Sequence, residues 1–123
     1  MPSAFASIGV DIVEVQRISQ AAARWQERFL YRIYTKAELQ DCGWRWPSLA
    51  ARFAAKEAVV KALGTGKGIS WHDIEIKRHD NDAPYICLHG NASRLAGQSG
   101  IRNFALSLSH SEKYAIAVTI ANV

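Results

Sequence analysis

The stretch FAAKEAVVKALGTGKG, Phe53 to Gly68, holds residues of three chemical kinds in one short segment. Glu57 stands between Lys56 and Lys61, and Gly64, Gly66 and Gly68 follow. A carboxylate can hold a hard cation, lysines can offset charge on a phosphoryl group, and glycines let backbone amides approach phosphate oxygens. The loop GTGKG lacks the Lys-Ser or Lys-Thr of a P-loop and is no Walker A motif. Glu57 and Lys61 lie four apart and share a helix face, a spacing that equally describes a solvated ion pair.

A second carboxylate, Asp11, interrupts an apolar run. A buried acid needs a hydrogen bond, a countercharge or a metal. Asp11 either caps a helix beginning near Val13 or joins Glu57 as a magnesium ligand, with water and phosphate oxygens completing an octahedron. His110, between Ser109 and Ser111, sits where a strand gives way to a turn; it can face an anion or be satisfied by nearby backbone. A Ser109–His110–Asp11 nucleophilic system is disfavoured because no nucleophile elbow surrounds the serine. His72, His79 and His89 have no metal-ligand spacing and read as surface or structural.

These residues need elements to position them. FASIGVDIVEV reads as a buried strand ending near Asp11 to Val13. From Glu14 onward Ile18, Ala22, Trp25 and Phe29 recur at helical spacing, while Arg17, Arg24 and Arg28 fall on another face of the same helix. TKAE, Thr35 to Glu38, is a capping box, and DCGWRWP breaks the short helix it opens. Ser48 can cap the next helix, with Phe53, Val60 and Leu63 on its packing face and Gly64 at its end. WHDIEIKRH and APYICLHG alternate like half-buried strands, with Ile74, Ile76, Ile86 and Leu88 inward, and Asn91 can cap a helix after them. FALSLSHSEKYAIAVTIANV reads as two strands around a tight connection at 110–113. The order predicts a single α+β domain over 1–123 with a mostly antiparallel sheet packed against helices.

Composition agrees with a folded, soluble chain. Of 123 residues, 49% are hydrophobic and 21% charged, which argues against disorder. The net charge of +4 favours anionic partners, among them nucleic acid, acidic proteins and phosphorylated small molecules. Cys42 and Cys87 are too few for a disulfide scaffold and read as reduced thiols, and the first residues lack the basic region of a signal peptide. No apolar run approaches the roughly 20 residues that cross a bilayer. The expectations are a cytoplasmic protein without membrane contact, and no nucleic-acid partner, because no RNP pair or zinc finger accompanies the arginines.

Three segments in order, IGVDIVEVQRI at 8–18, RFAAKEAVVKALGTG at 52–66 and LSLSHSEKYAIA at 106–117, resemble the small synthases of the 4'-phosphopantetheinyl transferase family. The resemblance spans nearly the whole chain. It implies that family's compact fold and transfer of 4'-phosphopantetheine from coenzyme A to a serine of apo-acyl carrier protein, releasing adenosine 3',5'-bisphosphate. It implies Mg2+ on Asp11 and Glu57, with Lys61 beside the pyrophosphate. Coenzyme A would meet Arg45, Arg52, Lys56, Lys61, Gly64, Lys67, Ser109, His110 and Ser111. An acidic carrier would dock on Arg17, Arg24 and Arg28, and a homotrimer would place its sites between subunits. The paired Trp44 and Trp46 depart from the simpler polar approach of many relatives.

Overall fold

The structure, a computed structural model, describes residues 7–123. Strand β1 spans Ser7–Glu14 and is followed by helices α1 (Val15–Trp25), α2 (Glu27–Ile33), α3 (Lys36–Cys42) and α4 (Trp46–Leu63). A 3-10 turn (Trp71–Asp73) leads into β2 (Ile74–Arg78), then β3 (Pro84–Leu88), α5 (Gly90–Gln98), β4 (Asn103–His110) and β5 (Tyr114–Asn122). The strands form two antiparallel sheets, one ordered β1-β5-β4 and the other β2-β3. Fold class is α+β, as expected.

Helix α4 is the spine of the core. Leu49, Ala50, Ala54, Ala55, Ala58 and Val59 are fully buried, so the alanines, more than Phe53, Val60 and Leu63, make its packing surface. Small side chains let the strands lie close on the helix. Gly9 of β1 is the extreme case: a Cβ there would stand 1.8 Å from the Ala58 carbonyl oxygen, so only glycine permits this approach. The approach sets Asp11, two residues on, beside the second half of α4.

Several local expectations are met. Thr35 and Glu38 form the reciprocal capping box of α3, Gly43 and Gly64 close α3 and α4 in the left-handed region, and Ile74 and Ile76 are buried. Others are corrected. β1 runs to Glu14 and alternates, burying Gly9 and Val13 while Ile8 and Ile12 stay 65% and 62% exposed; Phe5 and Ala6 of the predicted strand lie outside the described residues. Asp11 is therefore mid-strand and caps nothing, since α1 begins at Val15. The predicted first helix is two helices, because Gln26 takes φ 53° between them. α4 starts at Trp46 with Pro47 in its first turn, where the missing N–H costs nothing, so Ser48 lies inside it. Likewise α5 starts at Gly90, and Asn91 is used in its first turn, where Nδ2 donates to the Gly68 carbonyl at 2.7 Å.

Candidate functional site

Two clefts adjoin different faces of α4: Glu57 lines one, and Arg45, Arg52 and His110 line the other. Beside β1, Lys61 Nζ donates to the Val10 carbonyl at 2.9 Å and to Asp11 Oδ1 at 3.0 Å. The lysine thus joins Asp11 across fifty residues of sequence instead of closing a local pair with Glu57. Glu57, one turn earlier on the same helix face, is half-buried. Burial pushes its carboxyl pKa up, the Asp11 charge adds to that rise, and Lys61 opposes it. A carboxylate made harder to ionise by a second carboxylate nearby is a place where a cation is stabilised.

The donor set limits which cation. Among the described residues no group of three or more His, Cys, Asp or Glu side chains can cage a metal. Two carboxylates suit a hard ion that keeps water and takes further oxygens from its substrate, as Mg2+ does. A hollow of about 250 Å³ adjoins Glu57 and is walled by Val60, Gly66, Ile69 and Trp71. It is apolar apart from Glu57 and Ser70, and Trp71 is steadied by stacking on Phe53 at 5.2 Å between ring centroids.

The second cleft, of about 330 Å³, brings Arg45, Arg52 and His110 together with Arg78, Ser107 and Asp41. Arg45 is the N-cap of α4 and Ser48 lies in its first turn, an end of the helix that favours an anion. Arg78 was missed in the sequence because it closes the alternating strand β2, and Asp41 because its segment carried only a helix-breaking signal. The Arg78 hydrogen bond, with Arg52 acting the same way, lowers the Asp41 carboxyl pKa to about 2 against a smaller effect of burial. Arg52 and Glu57 are five residues apart, about 140° around the helix. Among the described residues no side chain lines both clefts.

Lys56 requires a correction. Its side chain is 0% exposed, and its ammonium donates to Glu38 Oε1 at 2.8 Å, to the Ile74 carbonyl at 2.6 Å and to the Trp71 carbonyl at 3.0 Å. All three donors are used inside the fold, so it meets no phosphate. Burial draws its pKa down, and the neighbouring Glu38 counters this. Glu38 also accepts from the Thr35 and Ile76 amides, which ties α3 and β2 to α4.

The remaining positions are more dispersed. Gly64 ends α4 and Lys67 is exposed in the loop after it. Ser109 lies opposite Ile116 on the exposed face of the sheet, on the other side of β4 from its neighbour Leu108. The Ser111 hydroxyl accepts from the Lys113 and Tyr114 amides and shapes the β4–β5 turn. Arg17 and Arg24 are exposed on α1 and Arg28 on α2. Trp25, expected to pack inward, is 55% exposed with the Arg24 guanidinium 5.1 Å above its ring, because the chain turns away at Gln26. His72 and His89 are satisfied internally, by the Tyr31 carbonyl at 2.6 Å and Glu75 Oε1 at 3.0 Å.

Comparison with known proteins gives a consistent result. Residues 7–119 match the family model of the 4'-phosphopantetheinyl transferase superfamily. The chain is 49% identical over 117 residues to a holo-[acyl-carrier-protein] synthase of Halothermothrix orenii, covering 92% of this chain and 94% of the relative. It is 50% identical over 113 residues to the enzyme of that name from Dehalococcoides mccartyi, covering 92% and 95%. Among solved structures, the Helicobacter pylori holo-[acyl-carrier-protein] synthase in complex with coenzyme A superposes with a TM-score of 0.84 at 35% identity, covering 93% of this chain and 98% of that one.

Proposed function

Because the chain belongs to the 4'-phosphopantetheinyl transferase superfamily, we propose that it moves 4'-phosphopantetheine from coenzyme A to a serine of apo-acyl carrier protein in a magnesium-dependent reaction. The observation that carries this reading is the contact of Lys61 with Asp11 beside Glu57. Relatives named holo-[acyl-carrier-protein] synthase, one bound to coenzyme A, support the substrate pair.

In the reaction, the serine oxygen forms a bond to the phosphorus that carries pantetheine, and the bond from that phosphorus to the bridging pyrophosphate oxygen breaks. Adenosine 3',5'-bisphosphate leaves with the electron pair, and the serine proton passes to a carboxylate or to water. Asp11 and Glu57 would hold Mg2+, which supplies charge neutralisation on the pyrophosphate. Lys61 adds a positive charge where negative charge develops. Arg45, Arg52 and His110 receive the nucleotide end, and the exposed loop after α4, with Gly64 and Lys67, borders the phosphates. Ser109 and Ser111 flank His110 at the β4 end, and the Ser111 hydroxyl shapes the β4–β5 turn.

Separation of the two clefts by α4 argues for more than one chain per site. A single ligand meets both sets when the β4 side of one copy lies against the β1 side of the next, a head-to-tail contact that closes into a ring. The occupant of the sheet face is, in this reading, two further copies of the same chain. Ile8, Val10 and Ile12 of β1 pair in register with Ile120, Val118 and Ile116 of β5, and all six are exposed. A contiguous β-branched surface of this kind is an interaction site in a water-soluble protein. The assembly is a homotrimer acting in the cytoplasm; among the described residues no helix is long and apolar enough to cross a membrane.

An acidic carrier meets Arg17, Arg24 and Arg28, and the exposed Trp25 beneath Arg24 adds an aromatic anchor. Changing Arg17→Glu and Arg24→Glu together should raise the KM for carrier protein roughly tenfold or more at low salt and leave the KM for coenzyme A within about twofold. Steady-state kinetics at two salt concentrations check this, and an unchanged carrier KM would remove the docking assignment. The activity itself is tested by intact-protein mass spectrometry of apo-acyl carrier protein incubated with coenzyme A and either Mg2+ or EDTA. A phosphopantetheine-sized gain only with Mg2+, matched by bisphosphate release, is expected; no gain on any apo-carrier with folded protein would overturn the proposal.

A further inference from the structure

Asp41 is a carboxylate in the wall of a cleft otherwise suited to anions. Its Oδ2 accepts from Arg52 Nη2 and, at 2.9 Å, from Arg78 Nε. Its Oδ1 accepts from Arg78 Nη2 at 2.8 Å, and the same nitrogen reaches the Asp41 carbonyl at 3.1 Å. Guanidiniums carried by α4 and β2 therefore meet on one side chain of α3. Arg52 is fastened a second time, by Nη1 to the Ile76 carbonyl at 2.7 Å. The Asp41 and Arg78 side chains are each 36% exposed, so a ligand entering the cleft can reach them. Asp82 contributes a second negative charge at the lining.

A negative charge in a phosphate site is unfavourable unless it does something that outweighs the repulsion. Two arginines brought this close repel each other, and a long side chain left free on a strand end loses rotamer entropy when a ligand immobilises it. A carboxylate between them removes both costs before the ligand arrives, which is preorganisation. We propose that Asp41 is a positioning residue that clamps Arg52 and Arg78 so that their remaining N–H groups, with Arg45 and His110, receive a phosphate monoester of the bound nucleotide. Arg78 thereby becomes a further ligand-binding residue. The proposal rests on the reading of this cleft as the nucleotide end of the coenzyme A site.

The sign of one substitution separates positioning from plain electrostatics. If charge alone matters, Asp41→Asn makes the cleft more positive and tightens anion binding. If Asp41 positions the arginines, the same change weakens it. Calorimetric titration of the full-length protein with adenosine 3',5'-bisphosphate should show Asp41→Asn binding about tenfold more weakly than wild type, a loss of about 1.4 kcal/mol. The preference for the bisphosphate over adenosine 5'-monophosphate should shrink by a similar factor, a ratio that a merely structural role would not move. Arg78→Gln should reproduce both effects, and it decides the matter if Asp41→Asn fails to fold. Equal or tighter bisphosphate binding by folded Asp41→Asn, or by Arg78→Gln, overturns the proposal. Failure of the wild-type protein to bind the bisphosphate overturns it together with the reading of the cleft.

Discussion

Glu57→Ala is expected to slow carrier modification roughly 100- to 1,000-fold while the protein stays folded. The residue lies on α4 one turn before Lys61, is half-buried, and among the described residues its side chain makes no hydrogen bond that holds the fold together. Its loss removes a carboxylate that burial and the nearby Asp11 charge both make harder to ionise. The melting temperature should therefore be unchanged or slightly raised. Binding of Mn2+, followed by electron paramagnetic resonance as a stand-in for Mg2+, should weaken in step with activity. Turnover near the wild-type rate would remove Glu57 from the reacting centre; weak turnover with undiminished Mn2+ binding would leave it there but not as a metal ligand.

The second large effect concerns assembly. Ile12→Lys places an ammonium in the middle of the exposed β1–β5 face, opposite Ile116. On an isolated chain the change is nearly neutral, since Ile12 is already in water. In an assembly that buries this face, an unpaired charge costs several kcal/mol at each copy. Light scattering after gel filtration should show the wild type at three chain masses and the variant at one, with activity reduced roughly 100-fold or more because each cleft pair is split. A mixing experiment tests the shared site directly. Glu57→Ala and Arg45→Glu are each expected to be poorly active alone, yet co-refolded in equal amounts they should regain about a quarter of wild-type activity. The fraction follows because each site draws one half from each of two randomly chosen neighbours. No recovery, with mixed assemblies formed, would put both halves of the site in one chain.

Much of the fold was legible because its signals are local. The Thr35–Glu38 capping box, the left-handed Gly64 at the end of α4 and the inward Ile74 and Ile76 each depend on a few neighbouring residues and standard backbone geometry. Boundaries failed where local signals competed. Arg45 rather than Ser48 occupies the N-cap of α4 because Pro47 is already compatible with its first turn. The continuous helix expected through Phe29 is broken at Gln26, a residue with no turn signature of its own. That break turns Trp25 from a packing residue into an exposed one, beside Arg24 of the proposed docking surface.

At the site, residue types and order determined the candidates. The acid in an apolar strand, the acid and lysine one helical turn apart, and the histidine at a strand end were visible without coordinates. Which charges meet is a matter of tertiary structure, since two lysines five residues apart have entirely different surroundings. Lys61 reaches across from α4 to Asp11, whereas Lys56 is turned inward to Glu38 and two carbonyls. A rotation of about 100° per residue separates their directions, but only the packing of α3, β2 and β1 around α4 determines which direction is solvent and which is core. For the same reason Asp41 and Arg78, thirty-seven residues apart, acquire a shared role only when β2 is laid beside α3.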